Sequence, residues 1–388
     1  MAAQTAAVPP LSTLATSAAE AMSIRYNTML YEQRAAGRDV IAMSLGEAYF
    51  ELPRLSWDDL PYPDVYHYSH SRGIPELRSK IAAYQRSKFN VGIDPDTELL
   101  LTAGSKAAIY MALLAILEPG DEVIYSEPAW VSYAEQIRLC RGVSVAMPFD
   151  VPVEAMERSI TARTKAIIVT NPHNPRGEVY SREELARLLA LAERQGVWLL
   201  CDEAYSDFVV DGSFVSLGEL DGGRRNAIVF NSLSKNLGIS GWRIGYLVGN
   251  PDIVYAVLKL NQHLITCPPT ILQHYVARHF DSLLEATRPQ IEALARTRTD
   301  VADHMRKIGL RTLAGSSTFY FFISIAPSKL GSEAFCDELL ERDAVCMIPG
   351  IGYGESCEGF VRASIGTATL DEVKHALDRV RALIERTS

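Results

Sequence analysis

From about Glu98 onward, short apolar runs alternate with longer amphipathic stretches. That is the pattern of strands crossing over through helices into a mostly parallel sheet. Five runs read as strands: Glu98–Thr102, Glu122–Tyr125, Ala166–Val169, Val197–Leu200 and Ala227–Phe230. The stretches between them predict helices over Ala107–Leu117, Val131–Leu139 and Arg182–Gln195. Past about Arg288 a long charged amphipathic helix leads to a strand pattern at Thr318–Ile325 and a helix at Ser332–Arg342. The strands end in polar residues, among them Ser105 and Lys106, Asn171 to Asn174, Asp202 to Tyr205, and Ser232 to Lys235. Ligands of open α/β sheets settle at the carboxyl ends of strands, so four strand ends converge on one candidate site.

Composition narrows the class of partner. A chain of 388 residues suits two packed domains, or one large α/β domain with a satellite, and 48% apolar residues supply the cores. The formal charge of −9 gives no general attraction to nucleic acid or to an anionic membrane. No apolar run approaches the ~20 residues that cross a bilayer. The stretch from Met1 to Ala21 is rich in Ala, Ser and Thr and lacks a basic segment followed by an apolar one, so it reads as a loose tail rather than a signal peptide. Six cysteines are scattered without a Cys-x-x-Cys pair, which predicts reduced thiols rather than a disulfide frame or a zinc site. The expectation is a soluble cytoplasmic protein that acts on a small molecule without a metal.

The chemistry concentrates in three places. Asn231-Ser232-Leu233-Ser234-Lys235 follows a buried strand and precedes Gly238 and Gly241. An amine in that turn loses solvation, and its pKa falls toward the range in which it attacks an aldehyde; a surface lysine in a loop is the plainer alternative. Arg243, in Gly241-Trp242-Arg243-Ile244-Gly245, could fork onto phosphate oxygens. Ser232, Ser234 and the turn Gly104-Ser105-Lys106 at a helix start could add hydroxyls and amides to the same anion. Asp202 closes an apolar strand; a carboxylate there needs a cation, such as a protonated pyridine nitrogen, unless it is a helix cap or a surface ion pair.

Together these residues resemble the class I/II, fold-type I aminotransferases, in particular the bacterial aspartate and aromatic branch. The likeness runs from about Ala18 to the C-terminus. Its landmarks include Ser44-Leu45-Gly46-Glu47, Tyr68-Ser69-His70-Ser71-Arg72-Gly73, Asn171-Pro172-His173-Asn174-Pro175-Arg176-Gly177 and Asp202-Glu203-Ala204-Tyr205. Ser232-Leu233-Ser234-Lys235, Gly241-Trp242-Arg243-Ile244-Gly245 and Val361-Arg362-Ala363-Ser364 complete them.

The resemblance implies an α/β fold with a mostly parallel seven-stranded sheet in a large domain, 47–290. A smaller α+β domain would come from the two chain ends, 1–46 and 291–388. It implies pyridoxal 5′-phosphate as cofactor, held by Lys235 as a Schiff base (the internal aldimine), with Lys235 also moving the substrate proton. Asp202 is similar to the carboxylate that keeps the pyridinium protonated. Asn174 and Tyr205 resemble the pair that hydrogen-bonds the ring oxygen, and Trp130 the aromatic plate on the ring, unless it is an ordinary core tryptophan. Ser105, Lys106 (through its backbone amide), Ser232, Ser234 and Arg243 fall where the family grips phosphate. Tyr68 matches a tyrosine that reaches the neighbouring subunit's phosphate, which implies a homodimer. Arg362 matches the clamp on the substrate α-carboxylate, with Gly46 beside it. The implied reaction moves an amino group from an L-amino acid to a 2-oxo acid.

Departures fall near the substrate. Arg176 stands where the family usually has Thr, Ser316-Ser317-Thr318-Phe319-Tyr320 replaces Gly-Ala-Phe-Tyr, and Ala48-Tyr49-Phe50 replaces Pro-Asp-Phe. The arginine could meet an acidic side chain or be solvated. β-Elimination, decarboxylation, cyclisation and oxidative deamination remain open alternatives, because the same cofactor grip serves them. A ligand-sensing domain of a transcription regulator fits poorly with the acidic balance.

Overall fold

The computed structural model describes residues 9–149, 151–220 and 225–388. We number the strands in chain order: β1 (Ile41–Ala42), β2 (Leu99–Thr102), β3 (Glu122–Ser126), β4 (Val143–Met147), β5 (Thr164–Thr170) and β6 (Trp198–Asp202). They continue as β7 (Ala227–Ser232), β8 (Gly245–Val248), β9 (Tyr320–Ser324), β10 (Val345–Cys346), β11 (Ile348–Pro349) and β12 (Phe360–Ser364).

The large sheet has seven strands in the order β2-β8-β7-β6-β5-β3-β4. Only β8 runs antiparallel to its neighbours, β2 and β7. Side chains alternate across it as the two-residue period requires. Leu99, Leu101, Ile167, Val169, Leu199 and Cys201 enter one apolar core, whereas Leu100, Ala166, Ile168, Leu200, Ile228 and Phe230 enter the other. Both faces are covered by helices, among them Ser105–Ile116 and Arg182–Gln195. The second of these begins on a reciprocal capping box between Ser181 and Glu184, which satisfies two otherwise orphaned amides.

A second, smaller body joins both ends of the chain. β1 pairs in parallel with β10, and β11, β12 and β9 form an antiparallel sheet. Its core gathers Tyr26 and Leu30 from the helix Met22–Ala35 with Phe321, Ile323, Leu377 and Leu383. Tyr205 and Phe208, just beyond β6, belong to this same core. The end of a large-sheet strand is thus plugged into the small body, and the two meet at the site described below.

Several elements differ from the pattern's expectation. The helix expected from about Arg288 starts at Thr270 and reaches Lys307, kinked at His279, whose dihedrals are non-helical, and with Pro289 inside its second part. The expected domain limit at 290/291 therefore falls within a helix. The loose tail is corrected for part of its length: Thr13–Thr16 form a helical turn capped by Ser12. Arg138 ties that turn down by donating to Leu14 O at 3.4 Å and Ser17 Oγ at 2.9 Å. The first part of the expected tail, from Met1 to Val8, lies outside the described residues. Among the described residues no helix is long and apolar enough to cross a membrane, and the six cysteines are free thiols, five of them buried.

Candidate active site

β5 ends at Thr170, β6 at Asp202 and β7 at Ser232, and β8 begins beside them, with Gly245 opposite both Ser232 and Thr102. This edge of the sheet opens on a cavity of about 230 Å³. Gly46, Ser105, Lys106, Trp130, Asn174, Asp202, Tyr205, Ser232, Ser234, Lys235, Arg243 and Arg362 all line it. Tyr68 does not. It is 86% exposed on the segment after the helical turn Asp64–Tyr66.

Lys235 sits on the short helix Leu233–Asn236 that caps β7. Its Nζ donates to the carbonyl of Gly46 and lies 5.8 Å from the Tyr205 ring centroid. Burial pushes its pKa down to about 8, partly opposed by Glu47. Asp202 accepts from the Tyr133 hydroxyl at 3.0 Å and from Ala204 N at 3.2 Å. Burial raises its pKa, while these bonds and the charge of Lys235 pull the other way. Asn174 Nδ2 lies 3.5 Å from the Tyr205 hydroxyl, and its Oδ1 is buried without a protein partner.

The opposite end of the cavity is shaped for an anion. The helix Ser105–Ile116 starts at Gly104, which has φ +81° and no side-chain cap, so among the described residues its first amides are left for a ligand. The Arg243 guanidinium lies in the space a β-carbon on Gly104 would fill. Arg243 Nη1 donates to Ser240 O at 2.7 Å and lies 3.5 Å from Ser234 Oγ. Ser232 Oγ accepts from Ser234 N at 3.2 Å. The Lys106 ammonium hovers 5.1 Å from the Trp130 ring centroid, and burial, then Arg243, lowers its pKa.

Arg362, on β12, is buried. Its Nη2 donates to Ser44 O, its guanidinium stacks 4.5 Å from the Tyr320 ring centroid, and its Nε is buried without a partner. A guanidinium held this way can fork onto a carboxylate. Arg176 is neither solvated nor in this cavity. It is buried and pairs with Glu178 at 2.6 Å, and it lines an adjoining space with His173, Tyr180 and Ser316.

Sequence reasoning missed Thr170, Ser240, Tyr320 and the helix residues Ser23, Ile24 and Asn27, all of which line the cavity. It also missed Tyr133, whose hydroxyl bridges Asp202 and Thr170 Oγ1 at 2.9 Å. The Phe319-Tyr320 pair within the departing segment was the available signal for Tyr320.

The fold and the site define a large α/β enzyme organised around a buried lysine amine at the carboxyl edge of its sheet. The sequence profile of the class I and II aminotransferases matches residues 60–380. An aspartate aminotransferase of Pyrococcus abyssi is 30% identical over 92% of this chain and 94% of its own. One from Thermotoga maritima is 31% identical over 89% and 91%. The solved structure of the Thermus thermophilus aspartate aminotransferase with maleate covers 97% of this chain and 100% of its own, at 29% identity and a TM-score of 0.88. The chain belongs to the class I and II aminotransferase family, and it is a pyridoxal 5′-phosphate-dependent enzyme that transfers amino groups.

The residues present fit that cofactor. The bare Gly104 backbone, Arg243 and two serine hydroxyls make an anion cradle at one end of the cavity. The unpartnered Asn174 Oδ1 offers a hydrogen-bonding position within it. The buried Asp202 carboxylate has no cation in contact with it among the described residues, which suits a protonated ring nitrogen.

Proposed function

We propose that this enzyme transfers the amino group of an L-amino acid bearing a second carboxylate, with Lys235 as the amine that holds the cofactor aldehyde and moves the substrate proton. The observation that carries the reading is the Lys235 amine, pushed down to about 8 by burial, on the same cavity as Asp202 and the half-paired Arg362. A pKa near working pH lets one group accept and return a proton.

In this reading Ser105, Ser232, Ser234, Arg243 and the amide of Lys106 hold the phosphate. Trp130 covers the ring, and Asn174 and Tyr205 hydrogen-bond its oxygen. Asp202 keeps the ring nitrogen protonated, and Tyr133 holds the Asp202 carboxylate in place. Pyridoxal phosphate, when bound, supplies the electron sink that makes the substrate's Cα proton removable. Arg362, beside Gly46, receives the α-carboxylate. The Lys106 ammonium, which lines the cavity with no carboxylate partner among the described residues, is the cation available to a second carboxylate. The names of the aspartate aminotransferase relatives support the same class.

Tyr68, exposed in one chain, would serve the site of a second copy, so the active form in this reading is a homodimer. The described residues of 1–46 and 291–388 would move together as the small body against those of 47–290, supported by the β1–β10 pairing. Six free thiols favour the reducing cytoplasm.

The test is a single-turnover reaction of the loaded enzyme with a panel of amino acids, followed by absorbance and mass spectrometry. Conversion of the cofactor to its amine form, with release of the matching 2-oxo acid fastest for acidic substrates, is expected. Preference for neutral aliphatic substrates would overturn the substrate class, and loss of carbon dioxide or of a β-substituent would overturn transfer itself.

A further inference from the structure

Tyr320, on the cavity wall, touches both the carboxylate-binding arginine and the tyrosine assigned to the ring oxygen. It opens β9, where it pairs with Ser364 of β12, two residues beyond Arg362 on that strand. The residue is buried and held from its backbone, with Tyr320 N donating to Thr318 Oγ1 at 3.3 Å and its carbonyl accepting from Arg298. Its ring lies beneath the Arg362 guanidinium at 4.5 Å. Its hydroxyl is 2.9 Å from the hydroxyl of Tyr205, and the two rings meet edge-on at 5.5 Å.

Two hydroxyls at this distance share one proton between them, and the donor is decided by what else each can reach. The only other side-chain group bonded to the Tyr205 oxygen among the described residues is Asn174 Nδ2, which donates and cannot accept. Among the described residues the Tyr320 oxygen has Tyr205 as its sole hydrogen-bond partner. Once an acceptor stands in front of Tyr205, the consistent arrangement runs in one direction: Tyr320 donates to Tyr205, and Tyr205 donates onward. A chain of donors strengthens each link. The positive Arg362 over the Tyr320 ring makes Tyr320 the better donor of the two, and a carboxylate that neutralises Arg362 weakens that bias.

We propose that Tyr320 is a positioning residue that aims the Tyr205 proton at the cofactor's ring oxygen and reports to it the arrival of a carboxylate at Arg362. The proposal rests on the reading of Tyr205 given above. Donation to the ring oxygen favours its anionic form and so lowers the pH at which the bound cofactor's visible band titrates.

The experiment is a pH titration of that band in the holoenzyme, for wild type, Tyr205→Phe and Tyr320→Phe, each with and without maleate as an unreactive dicarboxylate. Tyr320→Phe keeps the ring under Arg362, and thermal melts with cofactor stoichiometry verify that it is folded and loaded. The expected result is a rise of the midpoint by about 0.5 to 1 unit in Tyr320→Phe, a larger rise in Tyr205→Phe, and a maleate-induced change at least halved in Tyr320→Phe. If Tyr205→Phe moves the midpoint and Tyr320→Phe leaves both it and the maleate response as in wild type, the relay is wrong while the Tyr205 assignment stands. If neither variant moves it, both fall.

Discussion

The guanidinium of Arg243 lies where the β-carbon of any other residue at Gly104 would have to be. This places the arginine directly over the start of the helix Ser105–Ile116, whose first amides carry the positive end of its dipole. Gly104→Ala would displace the arginine and strain a backbone at φ +81°. We expect pyridoxal phosphate affinity to fall about 10- to 100-fold, roughly 1.4–2.8 kcal/mol, measured by equilibrium dialysis. Gly120, with φ +91° and open space around it, is the control. Gly120→Ala incurs backbone strain alone and should retain cofactor affinity, and a loss equal to that of Gly104→Ala would sink the cradle.

The buried amine of Lys235 should cost the cofactor-free protein stability. Its pKa is depressed from 10.5 to about 8 by burial, so the unfolded chain binds more protons between those values. Stability should therefore rise as pH increases through that window, and the full penalty applies below it. Lys235→Met should stabilise the cofactor-free protein by about 3 kcal/mol at pH 7, and the gap should close by about pH 10.5. Urea melts across pH would show it; a gap independent of pH would mean that the amine is solvated.

Much of this site was legible because its polar residues stand at the ends of apolar runs, and the sheet brings such ends together. Val143–Met147 was not read as a strand because β4 is an edge, half exposed and rich in small residues. β8 begins at Gly245, at the end of a motif read for its arginine rather than for a strand. The long helix was read from about Arg288 because Pro289 interrupts the pattern, although tertiary packing carries the helix through it. Tyr133 gave no signal, and Tyr320 only its place in a departing segment, for another reason. A tyrosine in an apolar stretch reads as core, and both are core except for one oxygen each. Where that oxygen points is set by tertiary packing, not by local pattern.

Arg362→Lys keeps the charge and loses the fork. The native side chain spends Nη2 on Ser44 O and leaves Nε buried and unpartnered, an arrangement that a point-charge ammonium cannot reproduce. We expect kcat/KM for amino acids to fall about 10²- to 10³-fold, or roughly 3–4 kcal/mol of transition-state binding. Cofactor affinity should stay within about twofold because Arg362 lies away from the anion cradle, the loss of a single bidentate contact being local. Equal losses in both would mean that Arg362 serves the fold rather than the substrate.

Glu127, just past β3, fastens the small body to the large one. Its buried carboxylate accepts from Ser356 N at 2.9 Å, Glu355 N at 3.2 Å and the Ser356 hydroxyl. These donors open the helical turn Glu355–Cys357, which leads directly into β12 and Arg362. Gly354, at φ +136°, lets the carboxylate approach, since a β-carbon there would collide with it. Glu127→Ala would leave two amides without an acceptor, a loss of about 2–4 kcal/mol. The strand that carries Arg362 would then be held less firmly, so KM for the amino acid should rise several-fold while the absorbance of the bound cofactor stays unchanged. Gly354→Ala should reproduce both effects through the opposite partner. Denaturant melts and steady-state kinetics on the two variants check this, and a stability loss without any change in KM would limit Glu127 to holding the turn.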